Sequence, residues 1–440
     1  MSPSPYVLSL LRVALPLILA GLSANLSIFI DRSILSHHSS EMMSSVTAVM
    51  NYCWTFLFAT TGITWISKVF VGQFNGAEEY EKASEITWQM IFFSCACFGV
   101  FFLAYLASPF IVPSFAQEHG LIYFQVIMLG GILWPLASSL ASFLMGTYQI
   151  RSLFVGLVIA NMINVGLDLL WIPTMGTYGA ALATIVSMVF QVVYLFLCFF
   201  NAYNRKRYKT QNVQLNFDLM KRAIILGYPE SISHACEMFA WATVLSIIAT
   251  KGDDYILVST LAQNLFILFM FVYSELGNAV KAMASNYIGQ HQRSHIPRLI
   301  QSAMKIHTSF MLMIAASLYF QPGWFIALFA LGEQNIALQQ TVMLSLQGVM
   351  LFMFLDGIAY LMASLLSAYG DTFASMMITA INMWLFLVLP TYILIHFYAT
   401  TASTHSLIIL PFYGIVTASC YIWRQKVASG QELSVMPATL

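Results

Sequence analysis

The chain has 440 residues, of which 59% are hydrophobic and only 8% are charged, and its 18 basic residues balance its 18 acidic ones. A soluble domain carries about 25% charged residues, so this chain cannot cover itself with a solvated surface. The composition therefore predicts an integral membrane protein. With zero net charge and no basic patch, it gives no sign of a nucleic-acid partner.

Apolar blocks recur along the whole chain, and each has room for the about 20 residues that a membrane-spanning helix needs. Transmembrane β-strands would be alternating segments of roughly 10 residues, which these blocks are not. The sequence predicts an all-α integral membrane protein with twelve transmembrane helices. The predicted spans are 9–35, 44–68, 86–115, 121–148, 152–174, 177–200, 220–250, 255–288, 300–330, 336–368, 372–398 and 401–424.

The most polar stretch, residues 201–218, divides the spans into two sets of six. We expect an amino-terminal lobe over 1–200, a carboxyl-terminal lobe over 219–424, and cytoplasmic segments at 201–218 and 425–440. With the amino terminus inside, Arg32 and Lys251 are the only basic residues on the outer side. This bias of Lys and Arg predicts a multi-pass protein of the cell membrane with both termini in the cytoplasm.

The two halves are similar at three places in the same order. LPLILAGLSANL pairs with GYPESISHACEM, VGQFNGAEEYEKA with IGQHQRSHIPRL, and ASFLMGTYQIRS with ASLLSAYGDTFA. Chance similarity explains any one pair of apolar helices, but three ordered pairs favour a parallel internal repeat. Such repeats build transporters in which two bundles, related by an axis along the membrane normal, surround a central site.

Asp31 is an acid inside a long apolar run, with no other charge between Arg12 and itself. A charge at bilayer depth costs about 2.5–3.5 kcal/mol on insertion scales, so its presence needs a reason. One alternative is an ion pair with the adjacent Arg32. The other is a carboxylate that binds a proton or an ion and controls a bend at Pro16, where the first helix lacks a backbone hydrogen bond.

The fifth helix carries a second such acid, Asp168. Asn164 lies four residues earlier and hence on the same helical face, and Asn161 lies one turn further back. Their oxygens suit Na⁺ or a proton-linked hydrogen-bond network, to which Thr184 of the next helix adds a hydroxyl. The alternative is a polar clamp between helices, worth about 0.6–2 kcal/mol per bond.

The carboxyl-terminal half has acids of its own. Glu237 and Asp356 have no obvious cationic neighbour in the sequence, so we expect them to face a cavity. Glu275 has Lys281 nearby, which favours a structural pair. The scattered histidines and the six cysteines form no metal-binding or disulfide pattern, and we expect no cofactor beyond a coupling ion.

Together these residues resemble the multidrug and toxic compound extrusion (MATE) transporters over nearly the whole chain. The elements that carry the resemblance are Pro16 with Asp31 fifteen residues on, VGQFNGA after the second helix, Asn164 with Asp168 ahead of GAALAT, Pro229 with Glu237 eight residues on, and Asp356 fifteen residues before Asp371 in AYGDT. The sequence departs from the family pattern at Arg32, where a small polar residue is usual. It departs again at Ser367 and Ala368, which replace a glycine and an arginine.

The resemblance implies a V-shaped pair of six-helix lobes that export organic compounds against inward Na⁺ or H⁺. The cation site of the DinF-like branch matches Asp31, Asn164, Asp168 and Thr184. Carboxylates of the NorM-like and eukaryotic branches match Glu237 and Asp356. The chain thus carries mixed DinF-like and NorM-like features, and both coupling ions stay open.

We therefore predict a secondary active antiporter that exports organic, cationic, drug-like compounds in exchange for H⁺ or Na⁺. An enzyme is disfavoured because the sequence has no recognisable zinc motif or nucleophile–base pair. The alternative within the superfamily is an exporter of lipid-linked saccharides, siderophores or other metabolites, which Arg32 and Lys281 keep open. We expect a monomer whose partners are small organic substrates and the lipid bilayer.

Overall fold

A computed structural model describes residues 5–321, 336–398 and 400–430 of the chain. Almost all of these residues are helical, and none of them lies in a strand. Two short π-helical segments interrupt the last helices, at Met383–Val388 and His405–Ile409. The α-helices are α1 (Pro5–His38), α2 (Ser40–Trp65), α3 (Ser67–Gly76), α4 (Tyr80–Ala96), α5 (Phe98–Leu106), α6 (Ser108–Ile111), α7 (Gln117–Leu129), α8 (Leu133–Gly146), α9 (Ile150–Phe199), α10 (Ala202–Tyr208), α11 (Phe217–Ala249), α12 (Asp253–Gly289), α13 (Ile296–Phe320), α14 (Ile336–Tyr369), α15 (Thr372–Asn382), α16 (Leu389–Phe397) and α17 (Leu410–Ser429).

The described helices provide the twelve predicted crossings. Ten helical stretches are long and apolar enough to cross a membrane, and α7 and α8, which are bent by 46° at their junction, form an eleventh. α9 has 50 residues, far more than the about 20 that one crossing needs, so it supplies two of the twelve.

The break in α9 lies at Gly176, whose φ of 58° and ψ of −133° are not helical. Such a positive φ favours glycine, and Pro173, just before it, lacks the N–H that would continue the helix. A Cβ atom at Gly156 would lie 2.5 Å from Cδ1 of Tyr194, so residues on either side of the break lie against each other. α9 is therefore an antiparallel helical hairpin that turns within the predicted gap between residues 174 and 177.

Several helix ends differ from the prediction. The predicted fourth span comprises two helices, α7 and α8, and α13 ends at Phe320. Residues 322–330 of the ninth predicted span lie outside the described residues. α17 continues through Ser429, five residues into the predicted tail, of which 431–440 also lie outside the described part. Hydrophobicity marks where a helix leaves the membrane, whereas hydrogen bonding and caps decide where it ends.

The chain forms two compact units. The amino-terminal unit comprises Arg12–Ser231 and Ala282–Arg293. The carboxyl-terminal unit comprises Ile232–Lys281, the described part of Ser294–Leu433, and the start of the chain up to Leu11. Each unit has its own apolar core, which includes Phe101 and Phe124 in the first and Leu265 and Phe352 in the second. The lobe boundaries at 200 and 219 stay a prediction.

Candidate functional site

A ladder of polar side chains joins α1 to the first half of α9 inside the amino-terminal unit. The Asn161 amide donates from Nδ2 to Ser23 Oγ at 2.7 Å, and Ser27 Oγ donates to Asn164 Oδ1 at 2.7 Å. The residue numbers rise together on both helices, so the two helices run in parallel at this contact. One further turn along each helix brings the ladder to Asp31 and Asp168.

Asp31 and Asp168, which we call the acid pair, lie close enough to interact electrostatically. Asp168 is fully buried and Asp31 is half-buried. Within the described part of the chain, Oδ1 of Asp31, both carboxylate oxygens of Asp168 and Nδ2 of Asn164 are shielded from solvent and have no hydrogen-bond partner. A carboxylate deprived of water and of donors is costly unless it is neutralised, so the acid pair fits a visiting proton or small cation.

The neighbouring Arg32 interacts electrostatically with Asp31 but does not form an ion pair with it among the described residues. The Arg32 side chain is exposed. The helix is continuous on both sides of Pro16, the proline at which a bend was predicted. The alternative of an ion pair between Asp31 and Arg32 is therefore not formed among the described residues, although the charge of Arg32 acts on Asp31.

Two other hydroxyl groups lie in this region. Tyr123 of α7 is buried, interacts electrostatically with both members of the acid pair, and donates its hydroxyl to Met50 Sδ at 3.1 Å. Thr184 donates instead to the Ala180 carbonyl of its own helix at 3.0 Å, and the described contacts include no hydrogen bond between Thr184 and Asp168. The predicted contribution of Thr184 stays a prediction.

A second acid site lies in the carboxyl-terminal unit. The buried Tyr273 donates its hydroxyl to Asp356 Oδ2 at 2.6 Å. The Tyr273 ring packs edge-on against His307, with centroids 5.7 Å apart, and His307 Nε2 lies 3.0 Å from the Phe354 carbonyl oxygen. His307 is buried, and its Nδ1 atom has no hydrogen-bond partner among the described residues. The Asp356 carboxylate therefore accepts a hydrogen bond from a tyrosine whose ring is packed against His307.

Glu237 belongs to the same site, since it interacts electrostatically with Asp356. Glu237 has a histidine neighbour in the structure, since His234 Nδ1 lies 3.6 Å from Glu237 Oε2, one turn earlier on α11. The pair is ionic when the imidazole is protonated. The spacing of three residues was visible in the sequence.

The sequence reasoning missed Ser23, Ser27, Tyr123, Tyr273 and His307. The two serines carried a signal, because Ser23, Ser27 and Asp31 recur every four residues and hence share one face of α1. The other three are single residues in apolar helices, and nothing in their spacing distinguishes them from packing residues.

The family model MatE matches residues 16–170 and matches a second time over residues 229–393. The chain belongs to the MatE family. Its two matches start 213 residues apart, which is also the separation of Pro16 and Pro229 in the first pair of similar segments. Members of the family are ion-coupled transporters rather than enzymes. This MatE chain is accordingly a multi-pass membrane transporter.

Curated relatives match the MatE chain along most of its length. The probable multidrug resistance protein NorM of Thermotoga maritima is 21% identical over 390 residues, which cover 85% of this chain and 82% of the relative. The probable multidrug resistance protein YoeA of Bacillus subtilis is 20% identical over 418 residues, which cover 88% and 87%. These relatives are therefore matched over the whole transporter rather than over one segment.

Solved structures match the fold equally broadly. A crystal structure of MATE in complex with MaL6 has a TM-score of 0.88 at 17% identity, with 97% of this chain and 98% of that chain covered. An outward-facing multidrug resistance MATE family transporter of the MOP superfamily has a TM-score of 0.87 at 17% identity, with 97% of each chain covered. The predicted all-α, twelve-helix fold is confirmed.

Proposed function

We propose that this MatE chain is a secondary active antiporter of the cell membrane that exports organic, cationic, drug-like compounds in exchange for H⁺ or Na⁺. The observation that carries the proposal is the acid pair, in which three carboxylate oxygens are shielded from solvent and have no hydrogen-bond donor among the described residues. The names of the relatives, which are probable multidrug resistance proteins, support the class of substrate. We propose that the transporter works as a monomer with both termini in the cytoplasm.

The binding of an ion to the acid pair changes the electrostatic repulsion between α1 and α9. Two ionised carboxylates within an apolar enclosure repel each other, and a bound proton or Na⁺ removes that repulsion. The ladder of serines and asparagines holds α1 and α9 in one register. The loss of repulsion between the two carboxylates therefore affects the whole contact between these helices. Pro16 leaves one carbonyl of α1 unbonded, which makes that helix easier to bend. An ion crossing a potential of 100 mV supplies about 2.3 kcal/mol per charge.

We propose that Glu237 and Asp356 form a second cation site or a substrate site. Both are acidic, which favours cationic compounds over anionic ones. Tyr273 donates its hydroxyl to Asp356 Oδ2 and so fixes the orientation of that carboxylate within the site. Because this site lies in the other unit, it is tested independently of the acid pair.

The test is ethidium efflux from proteoliposomes under an imposed pH or Na⁺ gradient. Asp31→Asn and Asp168→Asn keep the shape of the side chain and remove its charge, so each should abolish gradient-driven efflux. Asp254→Asn is the matched control, because Asp254 is exposed at the start of α12. Full gradient-driven efflux in both acid-pair variants would refute the proposed coupling site.

The same assay separates the second site from the first. If Glu237→Gln or Asp356→Asn raises the KM for ethidium and leaves the gradient dependence intact, the second site binds substrate. If either variant abolishes the gradient dependence while Asp168→Asn retains it, the coupling ion binds in the carboxyl-terminal unit.

Two buried lysines favour the second candidate, an exporter of anionic metabolites or lipid-linked saccharides. Lys68 is 5% exposed and Lys281 is 9% exposed, although both have partners in the structure. Under this alternative, Lys68→Gln or Lys281→Gln would reduce transport of an anionic cargo, and no gradient would drive ethidium out of the vesicles.

A further inference from the structure

The segment that connects α9 to α11 is bound to the protein surface along its length. We call residues 202–221, which comprise this segment and the first turn of α11, the linker platform. Three side chains of α4 donate to its backbone carbonyls: Ser84 to Tyr208 at 2.7 Å, Trp88 to Thr210 at 3.0 Å, and Gln89 to Gln214 at 2.8 Å. The inner face of the platform is therefore fixed against α4. The opposite face, which we call the outer face, consequently has a fixed orientation on the protein.

Side chains on the inner face are buried and paired. Asn204 and Gln149 exchange two hydrogen bonds, at 2.8 and 3.1 Å. Tyr208 donates its hydroxyl to Asn75 Oδ1 at 2.8 Å. Burial raises the pKa of Tyr208 to about 12, so this donor keeps its proton at any physiological pH. The inner face thus stays bound to the protein when conditions change.

The basic residues of the platform divide into two groups. Lys209 forms an ion pair with Glu81, and the Arg207 guanidinium lies 4.2 Å from the centre of the Tyr80 ring. Lys209 and Arg207 therefore already interact with other groups of the protein. The other basic residues of the platform differ in this respect.

Arg205 and Lys206 are exposed, as is Lys221 one turn into α11. In the described part of the chain none of the three has an ion pair or a hydrogen bond to another side chain. The platform therefore offers three cations without an anionic partner, held on a backbone that is fixed beneath them.

Apolar side chains flank these cations. Tyr203, Leu215 and Phe217 are each more than half exposed. The platform joins the end of one predicted crossing, α9, to the beginning of the next, α11, so it lies at the surface of the membrane. A surface that combines free cations with exposed apolar groups at that depth complements an anionic headgroup attached to acyl chains.

We propose that the linker platform binds an anionic phospholipid, with Arg205, Lys206 and Lys221 on the phosphate and with Leu215 and Phe217 against the upper acyl chain. The surface differs from a merely solvated basic loop because its backbone is bound to α4 and because, among the described residues, Arg205, Lys206 and Lys221 have no ion pair. The proposal is independent of ion coupling and of the exported substrate.

The experiment is a titration of the purified full-length protein in neutral detergent with fluorescent phosphatidylglycerol. Wild type should bind it with saturation, and phosphatidylcholine carrying the same fluorophore should bind far more weakly. Each neutralised cation should weaken binding by about fivefold. The triple variant Arg205→Gln, Lys206→Gln, Lys221→Gln should therefore lose about 100-fold, and added salt should reduce the difference between wild type and variant.

A charge-matched control is the triple variant Lys251→Gln, Lys305→Gln, Lys426→Gln, since these lysines are also exposed but lie outside the platform. It should bind phosphatidylglycerol like wild type. An equal loss in both triple variants, no loss in the platform variant, or equal affinity for phosphatidylcholine would overturn the proposal. Tight binding of the water-soluble headgroup alone would overturn the assignment to a membrane lipid. An unfolding transition of the platform variant equal to that of wild type, followed by tryptophan fluorescence in mixed micelles, shows that it is folded.

Discussion

The crossing of α3 with the end of α12 depends on two glycines. A Cβ atom at Gly76 would lie 2.2 Å from the Asn286 carbonyl oxygen and 3.0 Å from its carbonyl carbon. On the opposite side, a Cβ atom at Gly289 would lie 2.0 Å from the Gln73 carbonyl oxygen. The obstructing atoms are backbone on both sides, so no side chain can rotate away.

The cost of Gly76→Ala follows from these distances. An ordinary contact needs 3.4 Å or more, so the two backbones must separate by about 1 Å. Overpacking of this kind typically costs about 1–3 kcal/mol. The separation also stretches the hydrogen bond from Asn75 Nδ2 to Asn286 Oδ1, now 2.7 Å, and such interhelical bonds are worth about 0.6–1.7 kcal/mol. The sum is roughly 1.6–4.7 kcal/mol, or about 15- to 3,000-fold in the unfolding equilibrium.

The assay is equilibrium unfolding of the purified protein in mixed micelles, followed by tryptophan fluorescence. Gly99→Ala is the matched control, because a Cβ atom there meets nothing within 4 Å and α5 should gain about 0.5–1 kcal/mol of helix stability. Gly76→Ala should unfold at a lower denaturant fraction than wild type, and Gly99→Ala should not. Equal stability of the two variants would show that the close approach of α3 and α12 is not part of the folded state.

Three further changes have defined outcomes. Ser27→Ala leaves a buried asparagine oxygen without its donor and should lower the unfolding free energy by about 0.6–2 kcal/mol in the same assay. Gly156→Ala should destabilise by about 1–3 kcal/mol through contact with the Tyr194 ring, and Tyr194→Ala in the same chain should recover most of the loss. Asp371→Asn removes the negative charge that accepts a 2.6 Å hydrogen bond from Arg424 Nε and should cost roughly 1.5–3 kcal/mol. A double-mutant cycle with Arg424→Gln that shows no coupling would contradict the last prediction.

The membrane-spanning helices were predictable because the bilayer permits few backbone conformations. A helix must satisfy its own backbone within lipid, so a long apolar block implies a span wherever it occurs. The hairpin in α9 was predictable for a related reason, since Pro173 and Gly176 mark a break between two apolar runs. The bend between α7 and α8 was not, because an apolar run continues through the bend and composition does not record its angle.

The candidate site was predictable only within single helices. Asn164 and Asp168 share a face because they are four residues apart, and the structure keeps them on the same ladder. The partners of that ladder lie 137 and 138 residues away in the chain, and no spacing rule reaches across such a distance. Serine in an apolar helix also hydrogen-bonds to its own backbone, as Ser23 does, so its identity alone indicates nothing about a partner helix.

The internal repeat explains the scaffold but not the position of the acids. The second family match begins 213 residues after the first, which pairs Asp31 with Val244 and Glu237 with Ala24. Asp31 and Glu237 are therefore each equivalent, in the repeat, to an apolar residue of the other half. If the two sites were copies of each other, their acids would occupy equivalent positions and bind the same ion. Acids at non-equivalent positions of related helices can instead have different functions. A variant that removes the acid pair and one that removes Glu237 should accordingly fail in different ways, and the gradient and substrate arms of the efflux assay report those failures separately.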